Sequence, residues 1–324
     1  MNDAPTETNP AATTPDAKPP RAKKRDIHGW LILDKPPGMT STHALAKVKR
    51  AFGARKAGHA GTLDPLATGI LPIAFGEATK TVPFAMDGRK IYRFTASWGV
   101  ETDTDDSEGK EIGLSPDRPS ADDILAVLPR FRGTILQRPP QFSAIKVQGE
   151  RAYDLARDGE TVDLQPREIE IHRLELIEAG ADTAVFETET GKGAYVRALA
   201  RDIGRAIGCL GHISALRRVR VGPFGEEDVI SLDEVERLRL SAPGEGNLDD
   251  HLLPVETALD DIPALAVSGA DAARLRRGQA ILLRGRDAPA LIGTCYVTAQ
   301  GALVALAEAE GGEVHPKRVF HIPG

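Results

Sequence analysis

The sequence predicts an α+β fold, a large domain of mixed strands and helices followed by a small β-rich module. Three observations predict it. Strand-like and helix-like runs succeed one another without the strict alternation that a doubly wound parallel sheet requires. The texture changes after Leu253-Pro254, where short apolar runs at Ala280–Leu283, Leu291–Val297, Ala302–Leu306 and Val314–Phe320 are separated by Gly-containing turns. A chain of 324 residues also exceeds the usual size of a single core.

Residues 1–26 are rich in Pro and Thr, lack aromatics and are expected to be a disordered tail. Trp30-Leu31-Ile32-Leu33 reads as a buried strand, and Lys35-Pro36-Pro37-Gly38 forces a turn after it. Thr40 or Ser41 can cap a following helix, with Leu45, Val48 and Phe52 as its apolar stripe. Gly58 to Gly69 reads as a Gly- and Pro-rich loop, which Ile70 to Ala74 leaves as a strand. Ile91–Thr95 alternates as a strand should. Ser120 with Asp123 forms a capping box for a helix whose apolar residues are Ile124, Leu125 and Leu128. Strand-like runs recur at Phe142–Val147, Ile169–Ile177, Ala184–Thr190 and Ala215–Val221, with helical patterns at 193–208 and 231–238. The large domain is placed at residues 27–258 and the small module at 259–324.

Composition excludes several classes. Cys209 and Cys295 are too few and too far apart for a disulfide framework or a Cys-based zinc site. No apolar run has membrane-spanning length and no secretory signal is visible, which places the chain in the cytoplasm. No phosphate-binding loop, dinucleotide fingerprint or metal-ligand cluster appears, so no cofactor is expected. A net charge of −6 argues against a protein that coats nucleic acid without specificity. The charge is uneven: basic residues cluster at Lys18–Arg25, Lys47–Lys56 and Arg217–Arg220, and acids at Glu101–Glu108. That fits a grip on one defined polyanion, and fits ordinary solvated faces equally well.

The stretch Gly58-His59-Ala60-Gly61-Thr62-Leu63-Asp64-Pro65-Leu66-Ala67-Thr68-Gly69 is the most informative. Three glycines permit tight turns and close backbone approach, and Pro65 fixes the chain just after Asp64. A carboxylate held on such a bend suits a nucleophile or a base. It suits a turn cap too.

This segment resembles the catalytic signature of the TruB family of tRNA pseudouridine synthases. Leu33-Asp34-Lys35-Pro36-Pro37-Gly38-Met39-Thr40-Ser41 resembles the family's N-terminal motif. Phe131-Arg132-Gly133, Gln137 to Lys146, and Ala152-Tyr153 with Ala156-Arg157-Asp158-Gly159 resemble its central block. Gly193-Ala194-Tyr195-Val196-Arg197 and Leu216-Arg217-Arg218 resemble its late motifs. The blocks stand in family order across about residues 27–225. Ala60 and Ala194 stand where relatives often carry Thr, a minor departure.

The resemblance implies a mixed, largely antiparallel sheet flanked by helices, and a tRNA uridine, position 55 of the T arm, as target. Asp64 becomes the catalytic carboxylate, acting by covalent attack at C1′ or by removing the C2′ proton through a glycal. Arg197 pairs with it. Tyr92 stacks on the uracil and moves a proton at C5, Tyr195 and Leu216 line the base pocket, and Lys35 packs near the catalytic loop. His59 fills the gap left by the flipped base. The C-terminal module is loosely similar to a PUA-type RNA-binding barrel. A monomer is expected, without membrane association. The competing readings are a guide-RNA-directed synthase and a tRNA-folding chaperone whose isomerase activity is secondary.

Overall fold

A computed structural model describes residues 24–143, 145–147, 150–152, 163–242, 246–283 and 289–322. The tail up to residue 23, Ala144, Tyr153 and the 156–159 part of the central block lie outside them. Among the described residues no helix is long and apolar enough to cross a membrane.

The strands are β1 (Gly29–Lys35), β2 (Ala57–His59), β3 (Thr68–Phe75), β4 (Lys90–Trp98), β5 (Val100–Thr102), β6 (Glu111–Leu114) and β7 (Gly133–Gln137). They continue as β8 (Lys146–Val147), β9 (Glu150–Arg151), β10 (Arg167–Ala179), β11 (Thr183–Thr190), β12 (Gly211–Val221) and β13 (Val229–Ser231). The last five are β14 (Ala264–Ala266), β15 (Ile281–Leu282), β16 (Gly293–Ala299), β17 (Ala302–Glu310) and β18 (Glu313–Val319). The helices are α1 (Ser41–Ala51), α2 (Val82–Asp87), α3 (Ala121–Val127), α4 (Val196–Ile207), α5 (Leu232–Leu240) and α6 (Gly269–Arg276).

One nine-stranded sheet organises the large unit, in the order β13-β1-β3-β12-β4-β11-β10-β7 with β2 added beside β3. Only β1–β13 and β3–β12 run parallel, so the sheet is mixed and largely antiparallel as expected. β1 and β3 read as near-continuous apolar runs because both their faces are covered. Leu31, Leu33, Leu71 and Ile73 face a core completed by Val48 of α1, Leu199 and Ile203 of α4, and Val235 of α5. Trp30, Ile32, Ile70 and Ala74 face the other side, against Val255, Leu259 and three residues of the C-terminal module, Leu303, Leu306 and Phe320. That module is a five-stranded sheet, β14-β16-β17-β18-β15, with its own core around Val297, Val304 and Val314. It shares an apolar layer with the large sheet.

Local rules explain the helices. Thr40 Oγ1 accepts from His43 N at 3.1 Å to cap α1, while Lys49 and Arg50 sit in its last turn, where the helix dipole favours cations. Ser120 and Asp123 make the reciprocal box that starts α3. α4 stops at Gly208, whose φ of 91° is a left-handed cap.

Some expectations change. Leu125 is 50% exposed, because only Ile124 of α3 is driven into the core. The start of the 58–69 loop is strand, β2 on the edge of β3. Phe142 and Ser143 lie in a bend, with strand pairing only from Lys146. α2, α6, the β5–β6 hairpin, β7 and β13 are short or irregularly patterned and go unannounced in the sequence. In the Arg217–Arg220 cluster, Arg217 pairs with Asp34 and Glu226, Arg220 pairs with Glu227, and Arg218 is buried.

Gly69 marks the tightest point of the sheet. Its φ is +95°, and an added Cβ would stand 2.2 Å from the Arg218 carbonyl oxygen, across the parallel β3–β12 pair. Gly69→Ala is therefore expected to destabilise the protein by about 3 kcal/mol or more, combining backbone strain with overpacking. A urea-unfolding midpoint measures this.

Candidate active site

The loop that carries Asp64 runs from β2 to β3 and is tied at nearly every turn. Ser41, the first residue of α1, both accepts from Leu63 N at 2.8 Å and donates to Leu63 O at 2.9 Å. Gly38 N donates to Pro65 O at 2.9 Å. Arg218 Nη2 donates to Gly61 O at 3.0 Å. These bonds come from α1, from the turn before it and from β12, so Asp64 between Leu63 and Pro65 has little freedom. That is the preorganisation a reacting carboxylate needs.

Lys35 completes the cradle. Its side chain is fully buried, and Nζ donates to Pro36 O at 2.9 Å, Met39 O at 2.8 Å and Pro65 O at 3.2 Å. Three carbonyls match the three N–H donors of an ammonium group. Burial pulls its pKa down from 10.5 to about 8, against the pull of the Asp64 and Glu108 charges. A neutral amine has one donor fewer, so turnover is expected to fall as pH rises through about 8. Stability should move the other way: from about pH 8 to 10.5 the unfolded chain binds the extra proton, so folding gains as pH rises. Rate and melting profiles across that window check the pair of signs, and parallel declines would refute the loop explanation.

Arg197 projects from the first turn of α4 and is 5% exposed. Its Nε lies 2.9 Å from Asp64 Oδ2, a charge contact in which the N–H itself is not aligned to form a hydrogen bond. Nη1 donates to Thr104 O at 2.7 Å and lies 3.5 Å from Asp106 Oδ2, and Nη2 donates to Phe142 O at 2.9 Å. The guanidinium thus joins the Asp64 loop, the β5–β6 hairpin and the central block. Behind it Arg201 pairs with Asp105 at 2.8 Å, and Arg205 pairs with Glu101. Burial lifts the Asp105 carboxyl to about pKa 6 in spite of Arg201. The acids at 101–106, which the sequence suggests as a solvated face, are largely an inward-facing counterpart to the arginines of α4.

Asp64 stands in the wall of two clefts. One, about 300 Å³, is polar and includes Asp103, Asp106, Glu108 and Arg197. The other, about 320 Å³, is lined by Tyr92, Ser143, Tyr195, Leu216 and Arg197. The structure therefore brings together five of the seven expected site residues: Asp64, Arg197, Tyr92, Tyr195 and Leu216. Lys35 lies beneath them. His59 lines neither cleft; it ends β2, half-buried, and its Nδ1 is buried with no partner among the described residues. Burial, aided by the Arg218 charge, lowers its pKa from 6.5, which keeps the ring neutral near pH 7. Tyr195 is held by Gln137, which accepts from Tyr195 N at 2.8 Å and donates to Tyr195 O at 3.1 Å. Burial raises the Tyr195 phenol above its ordinary pKa.

Residues 49–196 match the TruB family pseudouridylate synthase N-terminal domain, and residues 197–260 the tRNA pseudouridylate synthase B C-terminal domain. The chain belongs to the TruB family. It is 67% identical over 307 residues to the tRNA pseudouridine synthase B of Rhodopseudomonas palustris, covering 94% of this chain and 84% of that protein. Identity to the Sinorhizobium medicae protein of the same name is 56% over 307 residues, 94% of this chain and 99% of the relative. A solved Cbf5–Nop10–Gar1 complex contains a similar chain at 27% identity and a TM-score of 0.72, covering 96% of this chain and 92% of that one. An H/ACA RNP bound to a substrate RNA containing 2′-deoxyuridine gives 26% identity and a TM-score of 0.71, over 91% and 86% of the two chains. The TruB fold is thus shared beyond the family matches, which end at residue 260.

Four residues that hold the groups around Asp64 are not singled out by the sequence: Asp106, Ser41, Gln137 and Arg218. A polar residue inside an alternating strand gives no sign of which way it faces, so Gln137 and Arg218 look like solvent-facing positions. Their burial, 2% and 1% exposed, follows only from tertiary packing.

Proposed function

We propose that this chain isomerises one uridine in the T arm of tRNA, position 55, to pseudouridine, working as a single chain. Family membership and relatives named tRNA pseudouridine synthase B support the reaction and the RNA class. The observation that carries the residue assignment is the position of Asp64, pinned from α1, the turn before it and β12 between an aromatic cleft and a polar one. A flipped uracil fits beside Tyr92, Tyr195 and Leu216, which leaves its sugar toward the carboxylate. Attack at C1′ and proton removal at C2′ both begin from that placement.

Each neighbour then has a task. Arg197, 2.9 Å from the Asp64 carboxylate, keeps it aimed. Tyr92 offers a ring face to the base and an oxygen for the C5 proton. Lys35 holds the loop. His59, neutral and planar near the loop, takes the place of the extruded base in the RNA stack, which offsets a few kcal/mol of lost stacking.

The test is a comparison of RNAs. A T-arm stem-loop alone should be converted at its target uridine, and the same hairpin with that uridine replaced by cytidine should yield no pseudouridine. Conversion of uridines in an anticodon stem-loop at comparable rate would rule out the T-arm assignment.

A further inference from the structure

Arg218 helps to pin the Asp64 loop, but the reading above gives its buried charge no task. It is 1% exposed, and among the described residues no carboxylate stands in ion-pair contact with it. Leaving a guanidinium in the interior without a counter-ion costs several kcal/mol unless other groups replace its water. Two carbonyls do so in part: Nε donates to Ile70 O at 2.8 Å and Nη2 to Gly61 O at 3.0 Å. The third neighbour is the Tyr92 side chain, whose phenol acts on the guanidinium charge. Tyr92 and Arg218 are direct cross-strand partners on β4 and β12. At that register point β12 also meets Gly69 of β3. The Asp64 charge is felt there but does not make contact.

A buried cation short of an anion favours any negative charge that develops on an oxygen of a side chain paired with it across the sheet. We infer that Arg218 is a positioning residue that makes Tyr92 the base for the C5 proton. This rests on the Tyr92 assignment proposed above. The Tyr92 phenol gives its proton to water, and the oxygen anion is held against Arg218. After the new C1′–C5 bond has formed, the anion takes the C5 proton. The C5–H electron pair passes into the ring, and the charge is quenched by protonation of N1 from water. One proton leaves C5 and one arrives at N1, so the isomerisation balances without any other reagent.

A purely structural Arg218 would only stitch the Gly61 and Ile70 carbonyls together, and isotope effects separate the two cases. The full-length protein is assayed on a T-arm stem-loop carrying hydrogen or deuterium at C5 of the target uridine. Arg218→Met is expected to lower kcat on the order of 10²-fold, the usual scale of a positioned base, and to raise the C5 deuterium isotope effect. In a Tyr92→Phe background the same substitution should cost less than about threefold more, because the two residues act as a unit. Arg218→Lys, which keeps the charge and the fold more readily, should give an intermediate loss with the isotope effect still raised. If Tyr92→Phe slows C5 proton removal, but neither Arg218 variant changes the isotope effect and their losses are the same in both backgrounds, the inference is overturned and the Tyr92 assignment stands. If Tyr92→Phe leaves both rate and isotope effect at wild-type values, the Tyr92 assignment itself falls, and this inference with it.

Discussion

Asp64→Asn is expected to abolish pseudouridine formation, with kcat reduced by about 10⁴-fold or more, while tRNA binding stays within about tenfold of wild type. The proposed reaction has no substitute in the site for this charged group at the sugar, and losses of this size follow when a member of a reacting unit is removed. The amide is nearly isosteric. The bonds that pin the loop are made by Ser41, Gly38, Lys35 and Arg218 to backbone atoms on either side of Asp64, so the substitution leaves them in place. Single-turnover conversion and a filter-binding titration on the same RNA separate chemistry from affinity. A tRNA-folding activity that persists in Asp64→Asn would belong to RNA binding alone, and the two functions would then coexist.

The second large effect is expected for Arg197→Lys. The guanidinium spans Asp64, Asp106, Thr104 O and Phe142 O at once, and an ammonium on a shorter reach can satisfy at most part of that set. The Asp106 side chain is 4% exposed, so it would be left buried with a weakened partner. Breaking a buried pair typically costs about 3–5 kcal/mol when one partner is removed outright, and a retained charge softens this. We expect kcat to fall roughly 10²–10³-fold, about 3–4 kcal/mol of transition-state stabilisation, with a smaller drop in stability. Rapid-quench rates and urea midpoints measured together check it. A loss of stability with unchanged kcat would make Arg197 a structural strut only.

The sequence made the chemistry legible where residue type and backbone constraint coincide. Asp64 stands out because glycines flank it and Pro65 follows it, and β1 and α1 stand out because their periods and cap are regular. The cleft lining from Tyr92 to Leu216 is legible only through resemblance, since a tyrosine in an alternating strand is otherwise a core residue. What stays hidden is polar and buried. Lys35 reads as part of a turn, yet its ammonium is enclosed by three carbonyls. Asp105 reads as a surface acid, yet a left-handed backbone at φ 60° turns it inward onto Arg201. Such residues follow no period, because their direction is set by a partner distant in sequence: Asp105 and Arg201 are 96 positions apart. The same holds for Arg218, which in sequence is one of three neighbouring arginines and in the fold is the one that is buried.

The account is tested most directly by incubating the purified chain with an unmodified tRNA transcript and mapping pseudouridine by carbodiimide labelling and primer extension. One new stop, at the T-arm uridine, is the predicted result. A folded, RNA-binding protein that leaves that uridine unlabelled, or that labels a uridine elsewhere, would contradict it.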